Sequence, residues 1–437
     1  MVKFTAINTL ALSFMIFALF VGAGNIIYPP FLALHSGENT WIAAAGFMVT
    51  GVGLPVISIV ALARYQGSMR CLCRPLGDKF SILFTVVCYL TVGPLFSTPR
   101  TATVSFETGL SNYFGNSHSV LFIYSLFFFV VVIYFSLTPG KLLDRVGYVL
   151  SPLKIVCLSI LGVAAYLWPA GSIGPASPEL AERPFSSGIM NGYLTMDTLG
   201  ALVLGIVVYT AIKSKGVESE KQIFKYTVIA TLIAGSGLLL LYLSLFFLGA
   251  GSFAIASDAT NGAVVLQRFV HHTFGDAGAL FLALLITLAC LVTAIGLTCA
   301  CSEYFCSITR ISYRNWVFLV SVFSFCVSNI GLTSLIHLSI PILTVIYPPC
   351  IVMIIFSFLD RILPRSRKML YPAAVTSLIF GLFDACKNAG LNTVFDKMLN
   401  AMPLSGLGLA WCAPCLATIC LTEIFRIMRG KYMVNSN

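Results

Sequence analysis

Two stretches carry residues able to do chemistry inside an otherwise apolar chain. The first is Gly22-Ala23-Gly24-Asn25-Ile26-Ile27-Tyr28-Pro29-Pro30, in the middle of an apolar run from about 6 to 34. Two glycines, an asparagine and adjacent prolines do not sustain an unbroken helix. In hydrocarbon a freed backbone N–H or C=O is costly unless something satisfies it, so a break at mid-depth must be buried in protein or line a polar cavity. An interrupted helix brings the positive end of one half and the carbonyl-rich end of the other together, which suits a carboxylate and a cation respectively. The second stretch is Thr195-Met196-Asp197-Thr198-Leu199-Gly200-Ala201, which sets an acid and a glycine at mid-depth in the sixth apolar run. Asp197 is suited to binding an ammonium group, coordinating a cation or carrying a proton; the plainer reading is a cap on a half-helix. Gly22, Ala23, Gly24 and Asn25, with Asp197, Thr198, Leu199 and Gly200, are therefore the candidate substrate-binding residues.

The elements that must position these residues are membrane helices. The chain has 437 residues, 58% hydrophobic and 10% charged, against roughly 25% charged in soluble domains. Apolar runs of about 20 residues recur along the whole length, as spanning helices require. They predict an all-α polytopic membrane protein of about twelve helices in one transmembrane domain, with the first and sixth broken. Breaks at those two places predict two inverted five-helix repeats, about 6–169 and 189–358, followed by two extra helices over about 369–427. No residue-level similarity links the halves. Gly93-Pro94 and Pro99-Arg100 predict a kinked third helix, while 170–188 and 250–275 read as outer loops, the latter with room for short helices.

Net charge is +10, but the basic residues lie between apolar runs and form no patch or tail, which argues against a nucleic-acid partner. Twenty-one of the 26 basic residues, Lys154 among them, fall on one side by this count, and Arg183, Arg268, Lys387 and Lys397 on the other. That bias predicts cytoplasmic termini. Residues 1–25 read as a retained helix, since a single Lys3 precedes an apolar stretch too long for a signal peptide. The 14 cysteines suggest no disulfide framework. Trp411-Cys412-Ala413-Pro414-Cys415 resembles a thiol redox motif, so a membrane thiol-disulfide oxidoreductase is the alternative function; its position in the last apolar helix argues for packing instead. No phosphate-binding loop and no filter-like repeat is present. No cofactor and no obligatory protein partner is expected beyond membrane lipid.

The stretches around Gly22–Pro30, from Gly93-Pro94-Leu95-Phe96-Ser97-Thr98-Pro99-Arg100 to Glu107, and from Gly296-Leu297-Thr298 to Ser302-Glu303-Tyr304-Phe305 resemble those of the bacterial branched-chain amino acid:cation symporter family. The likeness spans essentially the full chain. It implies cation-coupled uptake of leucine, isoleucine and valine through a bacterial inner membrane on a LeuT-like five-plus-five fold; a pocket walled by aliphatic side chains leaves another apolar amino acid, such as methionine, as an alternative substrate. A more distant likeness, to the neurotransmitter:sodium symporter family, implies that the amides at Gly22-Ala23-Gly24-Asn25 hold a substrate carboxylate. It also implies a Na+ site from the carbonyls of Ala18, Val21 and Ile295, the Thr298 hydroxyl and Cys299. A thiol is a poor ligand for hard sodium; Thr293 is the alternative hydroxyl, about half a turn round the helix.

Overall fold

The computed structural model describes residues 5–111, 115, 117–138, 143–359, 367–388, 399, 402, 404–405 and 409–434, and among these the regular structure is all helix. The first apolar run forms α1 (Ala6–Phe20) and α2 (Ala23–Ser36), with Val21 and Gly22 between them. The second forms α3 (Thr40–Met48) and α4 (Leu54–Ala63), joined by a widened turn over Val49–Gly53. The third forms α5 (Asp78–Leu90) and α6 (Ser97–Ser105). Between them Gly93 leaves helical geometry at φ −78° and ψ −109°, just before Pro94, whose ring cannot continue the hydrogen-bond ladder.

Next come α7 (His118–Ser136), α8 (Ser151–Leu167), α9 (Pro184–Leu194), α10 (Asp197–Lys213) and α11 (Glu220–Ala250). The chain continues with α12 (Gly262–Ile308), α13 (Tyr313–Ser328), α14 (Leu332–Leu359), α15 (Arg367–Asn388) and α16 (Cys412–Val434). Among the described residues nine helical stretches are long and apolar enough to cross a membrane, and two shorter apolar helices, Ala6–Phe20 and Cys412–Ile424, accompany them.

Three expectations from sequence need correction. Helix begins at Pro184, inside the stretch read as a loop, because proline at the first helical position lacks only an N–H that would be orphaned anyway. The segment 250–275, read as an outer loop with room for short helices, holds one over Phe253–Ala256, and a much longer helix begins within it at Gly262. Asn261 accepts from the Ala263 and Val264 amides at 2.9 and 3.1 Å and starts α12, which bends at Gly275, where φ is +62°. Lys154, counted among the inner basic residues, is a fully buried member of α8.

The contacts divide the chain into two compact units. The second unit comprises Met69–Val87 and His337–Asn437. Within it the buried Cys415 thiol donates to the Ala373 carbonyl at 3.2 Å, a packing contact between α16 and α15. The first unit, Met1–Ser68 with Cys88–Ile336, holds every residue of the site described below. Here α11 runs along α1, α2 and α4, and α9 lies against α3.

That last contact is closed by small residues. A Cβ on Gly188 would overlap the Ala43 carbonyl oxygen, and one on Gly46 the Phe185 carbonyl oxygen. Backbone meets backbone, as small residues allow in membranes. Gly188→Ala should therefore lower the thermal unfolding midpoint of purified protein, at a cost of ~1–3 kcal/mol. Gly53→Ala is the control, because the Met48 oxygen at 3.7 Å is the nearest atom to its new Cβ. Equal midpoints for the two variants would refute the close-packing account.

Candidate functional site

The first break follows from what α1 can no longer bond. Its last helical link runs from the Val21 amide to the Phe17 carbonyl at 3.0 Å, after which Gly22 is extended, with φ −106° and ψ −157°. The side-chain Oδ1 of Asn25 accepts from the Gly22 amide at 3.1 Å, so the first turn of α2 is capped from within. A Cβ on Gly22 would stand 3.2 Å from the Thr293 side chain of α12, and this crowding disfavours any larger residue there.

The second break lies between α9 and α10. Met196 takes the left-handed conformation, with φ +65°, and Asp197 opens α10, where a carboxylate complements the positive helix end. The Thr195 hydroxyl donates to the Gly192 carbonyl at 2.8 Å and accepts from the Asp197 amide at 3.4 Å. The two breaks are tied together. Asn25 Nδ2 donates to Asp197 Oδ2 at 2.5 Å, Tyr242 Oη on α11 donates to the same oxygen at 2.8 Å, and Asn25 Nδ2 also donates to Tyr242 Oη. All three side chains are buried.

Arg100 on α6 is buried too, at 3% exposure. Its Nη1 donates to the Leu194 carbonyl at 3.0 Å and its Nη2 to the Thr195 carbonyl at 3.3 Å, so a fixed cation meets the carbonyl end of α9. A Cβ on Gly24 would lie 3.0 Å from Arg100 Nη2, which places the guanidinium beside α2 as well.

The carbonyl end of α1 meets another cation. Lys154 Nζ donates to the Ala18 carbonyl at 2.7 Å, to the Ala289 carbonyl at 3.3 Å and to the Val21 carbonyl. Beside it, Thr293 Oγ1 lies 3.2 Å from the Leu19 carbonyl, 3.4 Å from that of Val21 and 3.3 Å from that of Ala289.

The residues singled out from sequence are thus distributed unevenly. Gly22, Gly24, Asn25, Asp197 and Gly200 line one small cavity with Arg100, Thr293 and apolar walls that include Phe20, Leu204 and Leu297. Ala23 is the first residue of α2. Thr198 donates instead to the Thr50 carbonyl at 3.5 Å, and Leu199 is buried in the core. On α12 the expected hydroxyl is displaced: Thr293, and not Thr298, reaches the α1 carbonyls. Thr298 Oγ1 is buried with no hydrogen-bond partner among the described residues, Cys299 Sγ lies 3.8 Å from the Ser136 carbonyl, and Ile295 is buried. Lys154 and Tyr242 were not singled out, although a tyrosine and a lysine within apolar runs were the available signals. The cavity has a volume of about 20 Å³, room for about one water. A larger groove of about 610 Å³ between α1, α8 and α11 has mostly apolar walls and brings no charged group together.

Comparison with known proteins bears on this arrangement. A family model described as "Branched-chain amino acid transport protein" matches residues 5–429. The chain is 56% identical over 424 residues to the branched-chain amino acid transport system 3 carrier protein of Pseudomonas aeruginosa, covering 97% of each. It is 50% identical over 429 residues to the branched-chain amino acid permease BrnQ of Escherichia coli K12, covering 98% of each. Among solved structures it is similar to MhsT in complex with L-phenylalanine, with TM-score 0.55 and 14% identity, covering 94% of this chain and 98% of that one. That likeness carries the fold, which is LeuT-like. The relatives are named as a carrier and a permease, and the oxidoreductase alternative has no support among them.

The grip of Arg100 on α9 yields a test. Lysine presents a point charge instead of a planar fork, so Arg100→Lys should leave one of the two carbonyls without its donor. A loss of ~1–3 kcal/mol is expected, read as a lower thermal midpoint of the purified protein; an unchanged midpoint would show that the fork is dispensable.

Proposed function

Because this chain belongs to the branched-chain amino acid transport protein family, we propose that it imports leucine, isoleucine and valine across a bacterial inner membrane by symport with a monovalent cation, sodium or a proton. The observation that carries the reading is the polar knot of Asn25, Asp197 and Tyr242 joining the two helix breaks at one apolar-walled cavity. A zwitterion needs an anion-binding and a cation-binding end close together, and an aliphatic side chain needs a wall of its own kind.

In this reading the amides at the start of α2, around Gly24 and Asn25, receive the substrate carboxylate. Asp197 receives the ammonium group, and Phe20, Leu204 and Leu297 enclose the side chain. Methylene-sized differences in such a pocket are worth only ~1–3 kcal/mol, so the three branched substrates compete with one another and methionine competes more weakly. The excess of basic residues in inner segments supports cytoplasmic termini.

The test is uptake of labelled leucine into proteoliposomes under an inward sodium gradient or an inward proton gradient. Accumulation driven by one of them, and competed by isoleucine and valine, is expected; no accumulation under either would overturn the proposal. Asp197→Asn should reduce uptake at least tenfold, in line with the ~1.5–3 kcal/mol of a hydrogen bond to a charged group. Full uptake in that variant would remove Asp197 from substrate binding and leave the transport function standing.

A further inference from the structure

The α1 carbonyl end is the place where the distant sodium-coupled likeness puts a transported Na+. The structure puts a side chain there. Lys154 enters from α8 and spends its three N–H donors on three carbonyls, Ala18 of α1, Val21 just past its end and Ala289 of α12. The ammonium is fully buried, and among the described residues no carboxylate forms an ion pair with it. Asp197 acts on it only through space. The groups that answer its charge are therefore the carbonyl dipoles at the end of a half-helix, which favour a cation.

Thr293 completes the cradle. Its hydroxyl lies within hydrogen-bond range of the Val21 and Ala289 carbonyls, the same oxygens that Lys154 uses. The oxygen set is what a hard monovalent cation would take, four carbonyls and a hydroxyl drawn from two helices. It is already committed. A second positive charge at these oxygens would lie in contact with the ammonium, where repulsion in a low-dielectric interior is strong. The residues present therefore do not fit a bound sodium ion alongside Lys154. The expected ligands Thr298 and Cys299 do not repair this, since the Cys299 thiol faces the Ser136 carbonyl of α7.

We propose that the Lys154 ammonium is the resident cation of the cradle between α1 and α12, standing where a transported sodium ion would otherwise bind, so that no sodium ion occupies this place during transport. The proposal rests on the reading of the chain as a cation-coupled transporter and moves the coupling ion away from the α1–α12 cradle. Lys154 is then a positioning residue. It holds the broken end of α1 against α12, next to the cavity lined by Gly22 and Asn25, without touching the substrate.

The experiment measures binding of labelled sodium and labelled leucine to the same preparations of purified wild-type, Thr293→Val and Lys154→Ala protein. Sodium binding to the wild type should be absent, or unchanged in Thr293→Val. Lys154→Ala frees the oxygen set and should gain saturable sodium binding, with its thermal midpoint higher in sodium chloride than in choline chloride by about 3 °C or more. Saturable sodium binding to the wild type that disappears in Thr293→Val while leucine binding persists would overturn the proposal. So would a folded Lys154→Ala protein that gains no sodium binding. If Lys154→Ala does not fold, the wild type and Thr293→Val still decide the question. Failure of leucine to bind the wild type in any salt would refute the proposed function and leave the sodium result readable.

Discussion

A helix that ends inside hydrocarbon leaves its last carbonyls without partners, and the protein around it must supply them. At two such ends among the described residues, after Phe20 and after Leu194, a buried cation on another helix answers the demand. Lys154 takes the carbonyls that close α1, and Arg100 takes those that close α9. Neither charge has solvent to fall back on, so each is tolerated only because the helix end it meets is the complementary half of a dipole. Positions of α6 and α8 relative to the breaks are fixed by the same contacts.

The remaining halves, α2 and α10, begin at the breaks, and their amide ends are organised by uncharged or acidic groups. Asn25 serves both elements, accepting from Gly22 with its oxygen while its nitrogen donates to Asp197. One amide side chain thus couples the geometry of the first break to that of the second. Backbone-level contacts elsewhere in the unit, such as Gly188 against Ala43, leave little freedom for α9 to shift against α3 without moving it as a body.

How much of this was legible in the sequence differs by residue, for physical reasons. Asp197 announces itself because a carboxylate is expensive in a spanning helix, and Gly22 does so only through its company, Gly24, Asn25 and two adjacent prolines within one apolar run. Arg100 appeared in the sequence only beside the predicted kink of the third helix, and its hold on the α9 carbonyls needed the structure. Lys154 did not stand out, because it sits three residues into α8 and close to Lys141 and Arg145, so it reads as one more inner basic residue. A lysine that snorkels and one that turns inward have the same local sequence. The choice between Thr293 and Thr298 was open for a related reason. Five residues rotate a helix by well over a third of a turn, and motif alignment does not reveal which face of α12 meets α1. The helix start at Pro184 was missed because the Pro-, Gly- and Ser-rich segment 170–188 was assigned to a loop on composition.

The cavity at the breaks, with its volume of about 20 Å³, makes the conformation described here one that a leucine side chain cannot enter. A ligand that binds only an opened form reports an affinity reduced by the fraction of molecules open at any moment; a form populated one time in a hundred weakens the apparent affinity about a hundredfold. Hydrogen bonds among the residues of the two breaks that favour this form therefore weaken the apparent affinity for a ligand by the same factor, whatever the intrinsic fit of the pocket. Two transporters with the same pocket and a different grip between Asn25, Asp197 and Tyr242 would then scavenge at different ambient concentrations of the same amino acid.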